Sequence, residues 1–133
     1  MKPLPQPNPT TRHFWAGCAA GRFEIQSCRR CGHRQFPPRL ACAACHGTEL
    51  EWQNSSGRGT VYSYTVVHRA PLEAFKADVP YVLAIIELEE GARAMMNVRD
   101  VDPAAMQIGL PVEIFFEPTR EGEPPLPQAR VRG

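Results

Sequence analysis

The sequence predicts a mainly β protein in three pieces: a short N-terminal helical segment, a small cysteine-stapled β module and a five-stranded barrel. Three observations carry that prediction. Cys28, Cys31, Cys42 and Cys45 form two Cys-x-x-Cys pairs, a spacing that lets four sulfurs converge on one point. From residue 60 onward, apolar and polar side chains alternate with the period of half-buried strands. Ahead of the cysteines, residues 11–20 carry apolar side chains at helical spacing between Thr11 and a terminating Gly21.

The chain opens on MKPLPQPNPT, where prolines at 3, 5, 7 and 9 interrupt any apolar run. The arm therefore reads as extended or disordered and not as a secretory signal. Thr11 is placed to cap a helix running to about Ala20. Phe14 and Cys18 stand four residues apart on one face of it, beside Trp15. The fifth cysteine reads most simply as a small buried hydrophobe, since no motif places a base near it for nucleophilic chemistry.

Residues 22–53 form the cysteine module, with short strands FEIQS (23–27) and ELEWQ (49–53) on either side of the cysteine turns. A piece this small cannot bury enough apolar surface to fold by itself. Four thiolates at about 2.3 Å from a tetrahedral Zn²⁺ would supply the missing free energy, on the order of 10 kcal/mol. Such a site is closed: it leaves no coordination position for water or substrate, so it holds a fold and activates nothing. The same spacing also suits a redox dithiol. In a reducing cytoplasm, paired cysteines favour metal over disulfide.

The barrel follows the linker NSSGRG at 54–59. TVYSYTVVH (60–68) is the first strand. YVLAIIELE (81–89) is the second, with Val82, Ala84, Ile86 and Leu88 on one face, and RAMMNVR (93–99) is the third, with Ala94, Met96 and Val98 inward and Arg93, Met95, Asn97 and Arg99 outward. Asp102 and Pro103 suit the N-cap and first position of a helical turn through Gln107. PVEIFFE (111–117) is the fourth strand and QARVR (128–132) a weaker fifth. Five strands with a helical turn between the third and fourth are the parts of a small Greek-key barrel of the OB type, although other five-stranded barrels share the count. The connection RAPLEAFKADVP (69–80) exceeds what a hairpin needs, and Leu72 and Phe75 give it an apolar side that either caps the barrel or contacts a partner. No apolar run approaches the roughly 18 residues of a membrane span. A cytoplasmic protein is the expectation.

The net charge of +1 hides two unlike halves. Residues 1–48 hold seven Lys/Arg against Glu24 alone, while residues 49–133 hold eight against thirteen acids. The positive half can attract phosphates of a nucleic acid or of a nucleotide cofactor. Equally, Arg29, Arg30, His33, Arg34 and Arg39 can offset the formal −2 of a metal tetrathiolate.

The order of FWAG (14–17), GRFEIQSCRRCGHRQFPPR (21–39), CAAC (42–45), ELEW (49–52), GRGTVYSYTVVHR (57–69), PYVLAIIEL (80–88) and IGLPVEIFF (108–116) closely resembles the family of zinc-ribbon/OB-fold acyl-CoA-associated proteins. The likeness leaves out only the proline arm and about the last dozen residues. It implies an N-terminal helix (1–21, with the arm), a rubredoxin-like zinc ribbon (22–53) and an OB-fold domain (54–133). It also implies Zn²⁺ on Cys28, Cys31, Cys42 and Cys45, and no catalytic residues of the chain's own. Members of this family are small partner subunits of thiolase-like enzymes, including acyl-CoA thiolases, aldolases of side-chain degradation and acyltransferases, and some act beside acyl-CoA hydratases. The ending LPQARVRG lacks the aromatic residue common near the family's last strand, which puts that strand in question.

On this reading the chain is a non-catalytic subunit that binds a thiolase-superfamily enzyme and helps hold an acyl-CoA in lipid or aromatic acyl-CoA metabolism. The phosphates of CoA need basic donors, for which Arg22, Arg29, Arg30, Arg34 and Arg39 are candidates. Its pantetheine arm needs an apolar channel, which Tyr62, Tyr64 and His68 can line if they do not fill the barrel or face outward. The rival is a single-stranded nucleic-acid binder, since OB barrels and zinc ribbons both serve there. Against it, the barrel half is acidic, and its aromatics do not interleave with Lys/Arg along strands. An independent enzyme using His68 or Cys18 lacks a nucleophile, base and orienting group together.

Overall fold

The computed structural model describes residues 4–132, so the first three residues of the expected arm lie outside the described part. Its elements are α1 (Arg12–Ala19), β1 (Glu24–Cys28), β2 (Arg34–Gln35), β3 (Leu50–Asn54), β4 (Arg58–Val67), β5 (Tyr81–Leu88), β6 (Arg93–Arg99), β7 (Pro111–Glu117) and β8 (Leu126–Val131), with 3₁₀ segments at Glu73–Asp78 and Pro103–Ala105. The chain is thus mainly β, with one helix ahead of a cysteine module and a closed barrel.

Helix α1 starts differently from the expectation. Thr11 occupies the cap position, but its hydroxyl turns back to Asn8 and caps nothing. The Asn8 side chain instead accepts from the N–H groups of Thr10 and Thr11, each at 2.9 Å. The helix ends as predicted. Gly21 adopts φ +79°, Arg22 N–H donates to Gly17 O at 2.8 Å and Gly21 N–H to Cys18 O at 3.0 Å. This is the Schellman pattern, which needs a left-handed residue where Gly21 stands.

The cysteine module is an antiparallel sheet in the order β2-β1-β3. Its packing is partly polar. Gln26 and Gln35 are buried, and their side chains knit residues 39–43 to the strands: Gln26 exchanges two hydrogen bonds with the Arg39 backbone, each at 2.9 Å, and Gln35 bonds Gln26, Ala41 O and Ala43 N–H. Every buried side-chain polar atom among the described residues has a partner, as a module without room for an apolar core requires.

The barrel closes in the order β4-β5-β6-β8-β7, with β7 returning to β4. Among the described strands only the β6–β8 pair is parallel. This is the five-stranded Greek-key arrangement of the OB fold. The inward faces of β5 and β6 are the predicted ones, Val82, Ala84, Ile86 and Leu88 with Ala94, Met96 and Val98, all buried. They belong to one apolar cluster that also takes in Phe14, Cys18, Phe23 and Ile25, so helix, module and barrel share a core.

Three details depart from the sequence reading. Strand β4 begins at Arg58, inside the expected linker, because it must reach both β5 and β7 to close the barrel. Strand β8 runs from Leu126 and pairs along its length with β7, so the questioned last strand is a full member. A bulge between Val61 and Ser63 breaks the alternation of β4.

The ribbon is fastened to the barrel at the β5–β6 turn. Glu90 accepts from Ser55 Oγ at 2.7 Å and Ser56 N–H at 2.9 Å, and Arg34 reaches Glu90 O at 3.4 Å. Burial pushes the Glu90 carboxyl up, but donation from Ser56 and Ser55 outweighs it and holds the group below its ordinary 4.5. A depressed carboxyl contributes stability that is present above its unfolded value and lost as the pH falls through the folded one. Glu90→Gln is therefore expected to cost about 1 kcal/mol at pH 7. That deficit should shrink as the pH falls from 4.5 through the lower folded value, where the folded parent also becomes neutral. Urea midpoints of both proteins at pH 7 and pH 3 check this, and a deficit independent of pH contradicts it.

Candidate metal centre

Two turns of the same design bring the four cysteines together. In the first, Cys28 N–H donates to His33 O and Gly32 N–H to Cys28 O, both at 2.8 Å. In the second, Cys42 N–H donates to Gly47 O at 2.7 Å and His46 N–H to Cys42 O at 2.9 Å. Each turn therefore places a left-handed residue four positions after its first cysteine: Gly32 at φ +78° and His46 at φ +64°. Glycine adopts that conformation freely, whereas a side chain costs about 1–2 kcal/mol. Gly32→Ala is expected to destabilise the module by about 1 kcal/mol and His46→Gly to stabilise it by a few tenths to 1 kcal/mol. Thermal midpoints of the two variants, moving in opposite directions, check this.

The four sulfurs lie within 4.8 Å of one another. Cys28 and Cys45 sulfurs are 3.6 Å apart, as are those of Cys31 and Cys42. That is far beyond the roughly 2.05 Å of a disulfide bond. It is close to the edge of a tetrahedron with metal–sulfur bonds of about 2.3 Å, which is about 3.8 Å. Backbone N–H groups point at the sulfurs, from Ala44 to Cys42 and from Gly47 to Cys45, both at 3.4 Å.

The thiols are not equivalent. The backbone N–H of Cys45, then that of Ala44, holds the Cys42 thiol down at about 7. Cys31 is pulled down by the backbone at His33, but desolvation and the three neighbouring sulfurs push it up to about 12. Four adjacent sulfurs ionise together only around a cation, and a tetrahedral all-sulfur set selects zinc or iron among common metals. The donor set is complete, so it leaves no open position for a reacting water. Cys28 and Cys42 are buried, whereas Cys31 is exposed at the tip.

Cys18 stands apart. It is 1% exposed in the shared core, and its thiol is pushed up to about 12 by burial, with the charge of Glu24 adding to the effect. It is the buried hydrophobe that the sequence suggested, with no thiolate available at neutral pH.

The residues proposed for ligand contact do not converge. Arg22 pairs with Glu24 at 3.3 Å, Arg29 with Glu51 at 2.9 Å, and Arg34 bonds Gln53 at 3.0 Å. Arg30 lies along Gly47 on the side of the Cys45 sulfur, a position from which it could offset thiolate charge, and Arg39 is exposed. The bulge in β4 separates the two tyrosines. Tyr62 faces outward under the Arg93 guanidinium, 3.8 Å from its ring centre, while Tyr64 falls on the face of its partner Ala84 and its hydroxyl donates to Met106 O at 3.0 Å. His68 lies beyond the end of β4, where it lines a cavity together with Arg69 and Lys76.

Sequence reasoning missed a groove on the outer face of β5 and β6. The connection 69–80 and the β7–β8 loop flank it, and its volume is about 570 Å³. Tyr81, Leu83 and Leu126 give it apolar walls, and Asn97 and Gln128 carry amides. Its only sequence signal was the length of the first loop. No helix among the described residues is long and apolar enough to cross a membrane.

Comparison with known proteins agrees with this architecture. Residues 15–51 match the ChsH2 rubredoxin-like zinc ribbon domain and residues 52–117 the ChsH2 C-terminal OB-fold domain. A DUF35 domain-containing scaffold protein of Methanothermobacter thermautotrophicus is 43% identical over 95 residues, covering 71% of each chain. The 3-oxo-4,17-pregnadiene-20-carboxyl-CoA hydratase alpha subunit of Mycobacterium tuberculosis is 40% identical over 84% of this chain, which spans only 35% of that subunit. The benzoylsuccinyl-CoA thiolase subunit BbsA of Thauera aromatica is 26% identical over 75% of this chain and 67% of its own. Among solved structures, the Ltp2-ChsH2(DUF35) aldolase superposes with a TM-score of 0.82 at 32% identity, covering 96% of this chain and 98% of that one. With its cysteine cluster, its ribbon and its closed barrel all matched in order, the chain belongs to the DUF35 family of ChsH2-type zinc-ribbon and OB-fold proteins.

Proposed function

We propose that this chain is a non-catalytic accessory subunit of a thiolase-superfamily enzyme. In this reading Cys28, Cys31, Cys42 and Cys45 hold one structural zinc, and the barrel helps hold an acyl-CoA at the partner's active site. The observation that carries the reading is the likeness, over nearly the whole of both chains, to the ChsH2(DUF35) component of an aldolase. It is supported by relatives named as subunits of a CoA thiolase and of a CoA hydratase. The closed sulfur set fits a structural role, since it supplies no Lewis-acid position. The buried, protonated Cys18 offers no alternative nucleophile. Four reduced thiols around a metal suit the cytoplasm, where the redox poise keeps them reduced.

Co-expression with a thiolase-superfamily enzyme encoded beside it is the direct test. Copurification as a complex, with about one zinc per chain and altered thioester turnover by the enzyme, is expected. A chain that purifies alone, leaves the enzyme unchanged or turns over a thioester by itself contradicts the proposal.

A further inference from the structure

We infer that the phosphorylated end of the acyl-CoA is held on the barrel, by His68, Arg69 and Lys76, and not by the arginines of the ribbon. The inference rests on the acyl-CoA part of the reading above. These three side chains border one cavity of about 490 Å³ together with Ala70, Pro71 and Val79. Two permanent cations and an imidazole therefore border the same small apolar surface, and no acidic residue among the described ones lines the cavity. Lys76 bridges Glu73 at 2.8 Å, but that carboxylate is 87% exposed, so a phosphate competes with it on favourable terms. The ribbon offers no such convergence. Arg22 and Arg29 answer Glu24 and Glu51, and Arg34 answers Gln53, on separate parts of the sheet.

The neighbouring groove has the complementary character. It lies on the other side of the segment Glu73–Asp78, with Phe75 and Asp78 in its lining. Its charges balance, Arg99 and Arg120 against Asp78 and Glu117, and Arg99 is held by Glu117 through two hydrogen bonds at 2.9 and 3.3 Å. A neutral cavity with apolar walls and side-chain amides suits an uncharged, amide-bearing chain. A basic cavity and a neutral groove thus flank one short segment. This is the division of character that a nucleotide carrying a pantetheine arm presents.

Calorimetric titration of the full chain with adenosine 3′,5′-bisphosphate, coenzyme A and pantetheine tests this. Salt-sensitive binding of the bisphosphate and of coenzyme A is expected, and Arg69→Gln/Lys76→Gln should weaken both by at least about tenfold. Pantetheine binding should be unchanged in that variant, and all binding unchanged in Arg29→Gln/Arg34→Gln. All four positions are exposed, and cooperative thermal unfolding verifies that both variants fold. Loss confined to the ribbon variant, or no nucleotide binding by the folded parent chain, overturns the inference. So does an oligonucleotide that binds through Arg69 and Lys76 more tightly than the bisphosphate. The Arg69/Lys76 variant should still copurify with the enzyme, so failure of this site is distinguishable from failure of the accessory-subunit reading, in which the parent chain itself does not copurify.

Discussion

Cys28→Ser is expected to release the metal and unfold the ribbon. Cys28 ends β1, is buried, and pairs with Leu50 of β3, so a metal held by its sulfur would be joined to the three-stranded sheet. The sheet has little else to hold it. Its interior is two buried glutamines and a few apolar side chains, whereas structural zinc contributes on the order of 10 kcal/mol in small modules of this kind. Both tryptophans, Trp15 and Trp52, lie within the helix and ribbon, and Trp52 stacks on His13 with ring centres 4.5 Å apart. Tryptophan emission therefore reports this half alone. The variant should show metal content near zero and red-shifted emission, with assembly onto the partner lost. Cys18→Ser is the control: it places a hydroxyl in the shared core and lowers stability, but it should keep the full metal content. Full metal content in Cys28→Ser, or metal loss in Cys18→Ser, would contradict the assignment of ligands.

What the sequence disclosed follows from how each feature is built. The convergence of the four cysteines was legible because two residues between cysteines is a geometric requirement of the turn. The inner faces of β5 and β6 were legible because one face of each strand is buried, and that burial dictates a period of two. Strand β2 was not, since Arg34 and Gln35 are too few to show a period. The glutamine network of the ribbon escaped for a related reason. Buried polar residues that satisfy one another look like surface residues in a hydrophobicity pattern. The assignment of Tyr62 and Tyr64 to one channel assumed strict alternation, which the bulge removes. The groove is assembled from segments distant in the chain and had no local signature, whereas the basic cavity is lined by one connection, residues 68–79. His68 was singled out with the strand that ends there and Arg69 follows it directly, while Lys76 joins them in lining the cavity only through the path of the loop.

The barrel has its own point of failure at Gly59. Strand β4 pairs there with both neighbours at once, Gly59 with Leu88 of β5 and with Val112 of β7. The backbones approach so closely that a Cβ on Gly59 would run into the carbonyl oxygen of Glu87 and lie 3.0 Å from Ile86 Cγ2. Neither neighbour can yield. The first is backbone within the sheet, and the second belongs to a side chain buried at the centre of the core. Gly59→Ala should therefore force β4 away from β5 and cost about 3 kcal/mol, a midpoint drop of roughly 10 °C for a domain of this size. Gly109 provides the contrast. It has φ +88° with nothing within 4 Å of the added carbon, so Gly109→Ala meets only backbone strain and should cost about 1–2 kcal/mol. Amide exchange separates the two mechanisms. Loss of protection across the β4–β5 pairing is expected in Gly59→Ala, with protection there intact in Gly109→Ala. Equal costs with equal protection would show that closure does not depend on the close approach at Gly59.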